Sequence, residues 1–263
     1  MKLGFVGCGN MATAIIKGII DKRIVEASDV IVSDASSKAL EKASSMAVTT
    51  TVVNQQVVKE ANVVVLAVKP QYIEAVINEI KDSVTSETLF ISIVAGKTIA
   101  WFEEKFGKSI KLVRTMPNTP ALVGEGMTGA CPNQNVTTED MEVALKILNG
   151  FGLVEVVPEH LIDVVVSVSG SSPAYVFMFI EAMADGAVAD GMPREQAYRF
   201  AAQAVLGSAK LMLETGMHPG QLKDMVCSPG GTTIEAVRVL EDKGMRSAVI
   251  EAMKACVKKA KEL

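Results

Sequence analysis

Six residues near the amino end, Gly7-Cys8-Gly9-Asn10-Met11-Ala12, have the types and spacing to hold a pyrophosphate. The first glycine permits a tight strand-to-helix turn and the second admits a ligand close to the backbone. A small third residue, here Ala12, lets the helix pack against the strand. The anion would rest on the free N–H groups and positive end of that helix. Glycine-rich turns also arise for backbone reasons alone, so the setting matters. An apolar run at 3–6 precedes the motif, and Met11, Ile15, Ile16, Ile19 and Ile20 follow at helical spacing. A second β-like run, Val30-Ile31-Val32-Ser33, ends in Asp34, roughly 25 residues beyond Gly9, near where an acid hydrogen-bonds a ribose hydroxyl. Together these features predict a dinucleotide site at Gly7, Gly9, Asn10, Met11 and Asp34.

Two later loops are polar and rich in glycine. Ser169-Gly170-Ser171-Ser172-Pro173-Ala174-Tyr175 places hydroxyls and N–H groups at a helix start, and capping by Ser172 alone would account for it. In Ser228-Pro229-Gly230-Gly231-Thr232-Thr233 two glycines precede a helix and expose more backbone donors than one cap requires. Such a nest suits a carboxylate. Capping by Thr232 or Thr233 is the structural alternative.

The elements that must position these loops follow from periodicity. Strand-like runs at 3–6, 30–33, 63–68, 89–94 and 112–114 alternate with amphipathic stretches near 11–21, 36–46, 71–81 and 98–106. This predicts an α/β fold, a Rossmann-like, doubly wound parallel sheet. Residues 124–132, with Gly124, Gly126, Gly129 and Pro132, read as a loop before a helix at 139–149 and a last strand near 153–157. Ligands of such sheets lie outside the carboxyl ends of the strands. Val68-Lys69-Pro70, Ala95-Gly96 and Met116-Pro117-Asn118-Thr119-Pro120 therefore join the candidate set.

From Leu161 the pattern becomes helical, which divides the chain into a dinucleotide-binding domain, 1–159, and an all-helical C-terminal domain, 160–263. The helix over 174–190 is apolar nearly all round and needs more cover than a thin helical layer supplies. Burial against a second subunit is expected, burial against the first domain being the alternative. The charge-free stretch 164–180 holds four serines, Gly170 and Pro173, and reads as a turn feeding a buried helix, not a membrane span.

Composition narrows the function classes. A net charge of −4 and a pI near 5.4 argue against nucleic acid or an anionic membrane as partner. The four cysteines, Cys8, Cys131, Cys227 and Cys256, lie far apart and read as reduced thiols. With only His160 and His218 present, neither a histidine triad nor a metal centre is expected. Met1-Lys2 leads straight into the first strand without a secretory pattern, so a cytoplasmic location is expected.

Taken in order, Gly7-Cys8-Gly9-Asn10-Met11-Ala12, Ala67-Val68-Lys69-Pro70, Arg114-Thr115-Met116-Pro117-Asn118-Thr119-Pro120, Ser169-Gly170-Ser171-Ser172-Pro173-Ala174-Tyr175, and His218-Pro219-Gly220-Gln221-Leu222-Lys223-Asp224 through Gly230-Gly231-Thr232-Thr233-Ile234-Glu235-Ala236 closely resemble the pyrroline-5-carboxylate reductase family. The match spans essentially the whole chain. The resemblance implies reduction of the cyclic imine 1-pyrroline-5-carboxylate to L-proline with hydride from a nicotinamide, usually NADP(H). It also implies an intertwined homodimer and, commonly, rings of dimers. It puts Ser228 and Thr233 on substrate-contacting, catalytic positions and Glu159 at the edge of the substrate pocket, where the amides of Gly230, Gly231, Thr232 and Thr233 would grip the substrate carboxylate. Asn54, Lys69 and Ala95 fall on cofactor positions.

A protonated imine is already a strong electrophile, so positioning and a grip on its carboxylate are the main requirements. Oxidation of a β-hydroxyacid would call for a general base, and enzymes of the β-hydroxyacid dehydrogenase kind, similar in build, resemble one another in placing a Lys on the helix after their Gly-Ser loop. Residues 173–180 contain none. A nucleotide-binding regulator without activity would not need the 230–233 loop. Ser33, Ser36, Ser37 and Lys38 suit a 2′-phosphate, yet Asp34 stands where the family often has a neutral residue. NAD(H) use is therefore expected beside NADP(H).

Overall fold

A computed structural model describes residues 1–262. The chain forms two compact units: Met1–Ser171 together with the carboxyl-terminal residues from Cys256, and Ser172–Ala255.

The first unit is built on an eight-stranded sheet of order β3-β2-β1-β4-β5-β6-β7-β8. The strands are β1 (Leu3–Val6), β2 (Val30–Ser33), β3 (Thr49–Thr51), β4 (Val63–Leu66), β5 (Leu89–Ser92), β6 (Lys111–Met116), β7 (Gly126–Pro132) and β8 (Gly152–Val156). All neighbours are parallel except β6 and β7. β1, β2, β4 and β5 are buried at every residue, as continuous apolar runs in a sheet covered on both faces must be. On one face α1 (Asn10–Asp21) and α6 (Thr138–Leu148) pack Ile15, Ile16, Ile19 and Ile147 against Phe5, Val32 and Val65. On the other, α3 (Asn54–Glu60), α4 (Ile73–Ile80) and α5 (Ile99–Phe106) bring Val57, Ile77 and Phe102 onto Val64, Leu66 and Phe90. A short α2 (Ser37–Ser44) follows β2.

Three segments depart from the sequence expectation. Residues 126–132, read as a loop, form β7, pairing Arg114 with Cys131 and Met116 with Gly129. Its glycines mask the strand pattern because neighbours crowd them: a Cβ on Gly126 would lie 2.8 Å from the Phe151 carbonyl oxygen, and one on Gly129 3.0 Å from Val165. β3 and α3 were not anticipated, each being too short for periodicity to register. The Ser-Gly segment near 170 is not a loop. α7 (Ile162–Val165) runs into a π-helical turn, Val166–Gly170.

The second unit contains α8 (Ser172–Ala189), α9 (Arg194–Thr215), α10 (Pro219–Val226), α11 (Thr232–Asp242) and most of α12 (Met245–Ala260). Its buried apolar side chains are Ala184, Ala197 and Ala201. Phe177, Met178, Phe200 and Leu213 are each about two-thirds exposed or more, at 65%, 69%, 66% and 72%. The all-round apolar helix is thus largely uncovered within a single chain, as the expectation of burial against a second subunit requires and the alternative of burial against the first domain does not.

Candidate active site

The first turn of α1 carries the clearest ligand signature. Gly7 has φ +97°, and a Cβ there would sit 2.7 Å from the Ala67 carbonyl oxygen, so the chain itself demands glycine. Gly9 is different. Its φ of −73° is open to any residue, and a Cβ would meet nothing within 4 Å. The free space lies directly before α1, whose N-terminus no side chain caps. An uncapped helix start beside a glycine without an intrinsic need for one fits a dinucleotide pyrophosphate. Asn10 is exposed and Met11 half-buried at this turn.

Asp34 is anchored. Its Oδ2 accepts from the Cys8 N–H at 2.7 Å and its Oδ1 from the Ser36 N–H at 2.8 Å. The carboxylate thereby latches the Gly-Cys-Gly turn to the loop after β2. Capping of α2 falls to Ser36, whose Oγ accepts from the Ala39 N–H. Asn54 begins α3, accepts from Ser33 Oγ at 2.8 Å and donates to Glu79 at 2.6 Å, which fixes its amide. Val68 is half-buried beyond β4, with Lys69 and Pro70 exposed. Ala95 and Gly96 follow β5, Gly96 with φ +74°. Cofactor candidates thus gather along the carboxyl ends of adjacent parallel strands, the edge where such sheets bind ligands.

Two side chains have roles that the sequence did not reveal. Both ends of the buried Asn118 amide serve the scaffold: Oδ1 accepts from the Met127 N–H at 2.8 Å, and Nδ2 donates to the Ser169 carbonyl at 3.0 Å. Pro173, four residues after Ser169, has no N–H to return to that carbonyl, so Asn118 supplies the missing donor. Glu159 is not a free acid. Its Oε1 accepts from Arg114 Nη1 at 2.8 Å and from the Ile99 N–H at 2.7 Å. Arg114, in the middle of β6, is 6% exposed. An arginine inside an apolar strand was the available signal.

The second unit holds the other loop. Gly230 has φ +67°, and Gly231 is the N-cap residue of α11 without a side-chain cap. Thr232 and Thr233 are its first helical residues, so neither caps it, and the first-turn amides stay open. A Cβ on Gly231 would lie 2.8 Å from Ser228 Oγ, which folds back over the turn. Ser228 and Thr232 are exposed and Thr233 half-buried.

Burial, the dominant influence, raises the thiol pKa of both Cys8 and Cys131, which suits packing more than nucleophilic chemistry. Among the described residues, no group of three His, Cys, Asp or Glu side chains is arranged to hold a metal.

Comparison with known proteins agrees with this geometry. Residues 159–263 match the family model for pyrroline-5-carboxylate reductase dimerisation, and residues 2–96 the model described as NADP oxidoreductase coenzyme F420-dependent. The chain is 52% identical to a pyrroline-5-carboxylate reductase of Escherichia coli (strain K12), over 100% of this chain and 98% of that protein. A solved pyrroline-5-carboxylate reductase of Coxiella burnetii superposes with a TM-score of 0.94 at 39% identity, covering 99% of this chain and 97% of that one. A Plasmodium falciparum pyrroline carboxylate reductase with NADP bound gives 0.90 at 34% identity, with 100% and 97% coverage.

Proposed function

The chain belongs to the pyrroline-5-carboxylate reductase family, and we propose that it reduces 1-pyrroline-5-carboxylate to L-proline with NADP(H) as its cofactor. The observation that carries this reading is the start of α11 after Gly230 and Gly231, which no side chain caps, so that its first helical amides, from Thr232 on, suit a small carboxylate. When bound, the reduced nicotinamide supplies the hydride.

The chain's own residues bind and orient. Gly7, Gly9, Asn10 and Met11 hold the pyrophosphate at α1, while Asn54, Val68, Lys69, Pro70, Ala95 and Gly96 flank the remainder of the dinucleotide. The amides of Gly230, Thr232 and Thr233 grip the substrate carboxylate, while that of Gly231 donates to the Ser228 carbonyl at 3.0 Å and steadies the loop. The Thr233 hydroxyl hydrogen-bonds the ring nitrogen and relays its proton. With the ring nitrogen protonated, addition of hydride to the imine carbon leaves a neutral amine, so the step needs a proton held on nitrogen and correct positioning, not a base. The functional division falls at 159/160, and Glu159 serves as an anchored acid at the boundary.

Asp34 supports appreciable use of NADH, since an acid here accepts from a free 2′-hydroxyl and repels a 2′-phosphate. Self-association follows from the dimerisation family, and a ring of dimers, a cytoplasmic location and independence of nucleic acid, membrane and metal complete the proposal. The test is loss of reduced-nicotinamide absorbance with and without the imine, with proline quantified. Oxidation that does not depend on the imine would overturn the reading.

A further inference from the structure

Arg114 reaches the exit of the 93–98 loop through Glu159, and it lines a small cavity together with Ala95 and Gly96 of that loop. That loop, which carries Ala95 and Gly96, is tied at both ends. At its start the Val94 N–H donates to Ser92 Oγ at 3.3 Å, and Thr115 Oγ1 donates to the Ser92 carbonyl at 2.9 Å. At its end the Ile99 N–H donates to Glu159 Oε1, the oxygen that Arg114 Nη1 also engages. Between these ties lie a left-handed glycine, Gly96, and two half-buried residues, Ala95 and Lys97. Among the described residues Arg114 is the one cationic partner of Glu159, whose side chain is 34% exposed against 7% for that of Arg114.

We infer that Arg114 is a positioning residue, which sets the affinity for the nicotinamide half of the dinucleotide by holding Glu159 against the exit of the 93–98 loop. The inference rests on the cofactor placement proposed above. The physical argument is preorganisation. A loop already held in one conformation does not lose further freedom when a ligand settles on it. The strand order gives the effect a direction, because Asp34 and the ribose it would read follow β2, whereas the loop follows β5, beyond β1 and β4 on the other side of the crevice. Arg114 should therefore act on one half of the cofactor and leave the other alone.

The pair also provides a variant that retains the fold. Removing Glu159 strands a buried guanidinium, whereas Arg114→Met replaces that group by an apolar chain of similar length and leaves a carboxylate able to hydrate. Arg114→Met is expected to unfold at or near the wild-type temperature. Its Kd for NADPH and for NADH should rise by the same factor, about tenfold. Its Kd for adenosine 2′,5′-bisphosphate, which lacks the nicotinamide half, should not change. Emission from Trp101, the sole tryptophan, two residues past the tether, should respond less to NADPH. Arg114→Lys, retaining a donor and a charge, should recover part of the loss. In a double-mutant cycle Arg114→Met and Glu159→Gln should be non-additive in NADPH affinity.

Wild-type protein that fails to bind NADPH would remove the cofactor assignment itself. With wild-type binding intact, an unchanged NADPH Kd in folded Arg114→Met overturns the inference, and so does an equal loss for the bisphosphate fragment, which would mark a general structural effect.

Discussion

Gly7 and Gly9 sit two residues apart and answer to different causes, which makes them a test of the pyrophosphate site. Gly9→Ala places a methyl group in open space at an allowed φ, so the protein should fold and gain about 0.4–1 kcal/mol of stability, yet bind NADPH at least about tenfold more weakly. Gly7→Ala should lower the melting temperature outright. Unaltered cofactor affinity in Gly9→Ala would move the pyrophosphate elsewhere. Thr233 gives the matching test for the substrate. Since it caps nothing, Thr233→Ala removes no structural bond and should lower kcat/KM for the imine by about 1–3 kcal/mol, ten- to a hundredfold, with the Kd for NADPH unchanged. Wild-type turnover in that variant would take the hydroxyl out of the mechanism. Asp34→Ser should raise the NADPH/NADH ratio of kcat/KM by about tenfold, because a carboxylate beside a 2′-phosphate costs about 1–3 kcal/mol. An unaltered ratio would leave Asp34 only its latch between Cys8 and Ser36.

Elements were legible in the sequence where one force set the pattern. The fully buried strands β1, β2, β4 and β5 read as apolar runs, and α1 as a stripe of isoleucines, because burial alone selects those residues. β7 was illegible because close packing chose Gly126 and Gly129 against strand propensity. The end of the π-helical turn was hidden for a related reason: Pro173 offers the Ser169 carbonyl no N–H, and the donor comes from a distant Asn118. The same limit applied to the candidate site, whose glycine loops were visible as spacing while the Arg114–Glu159 tether joins residues far apart in the chain. α6 offers a quantitative check. Its N-terminus is a capping box in which Thr137 Oγ1 accepts from the Asp140 N–H at 3.2 Å and the Thr137 N–H donates to Asp140 Oδ2 at 3.0 Å. Burial pushes the Asp140 pKa up, but the bonds from Thr137 and Lys111 prevail and hold it below the usual value. A carboxylate depressed on folding contributes stability above its unfolded pKa and loses it as pH falls through the folded one. Asp140→Asn should therefore destabilise by about 1 kcal/mol at neutral pH, with the gap to wild type closing below about pH 4. A gap that persists in acid would assign the effect to packing.

At the scale of the whole molecule, the exposed apolar surface of the second unit requires cover that one chain does not supply. The helix over 159–189 is long and apolar enough to cross a membrane by length and composition. It also contains Pro173 and a π-helical turn, and it lies within the segment matching a dimerisation family. A second copy is thus the cover that chemistry and kinship both favour. Large side chains spread around α8 and α9, among them Phe177, Met178, Phe200 and Leu213, demand wide enclosure, and a pair of chains can provide it by exchanging helical faces. The protein should elute in detergent-free buffer at a multiple of 27.9 kDa and hold that mass on dilution to assay concentrations. Phe177→Glu should shift it to smaller species with loss of activity, since a buried charge without a partner costs more than the interface gains at that point. NADPH affinity should change far less, because Phe177 belongs to the second unit and the dinucleotide loops to the first. A fully active wild-type species at the mass of one chain would refute obligate association. A Phe177→Glu protein with unaltered mass would place the interface on another face of the helical unit.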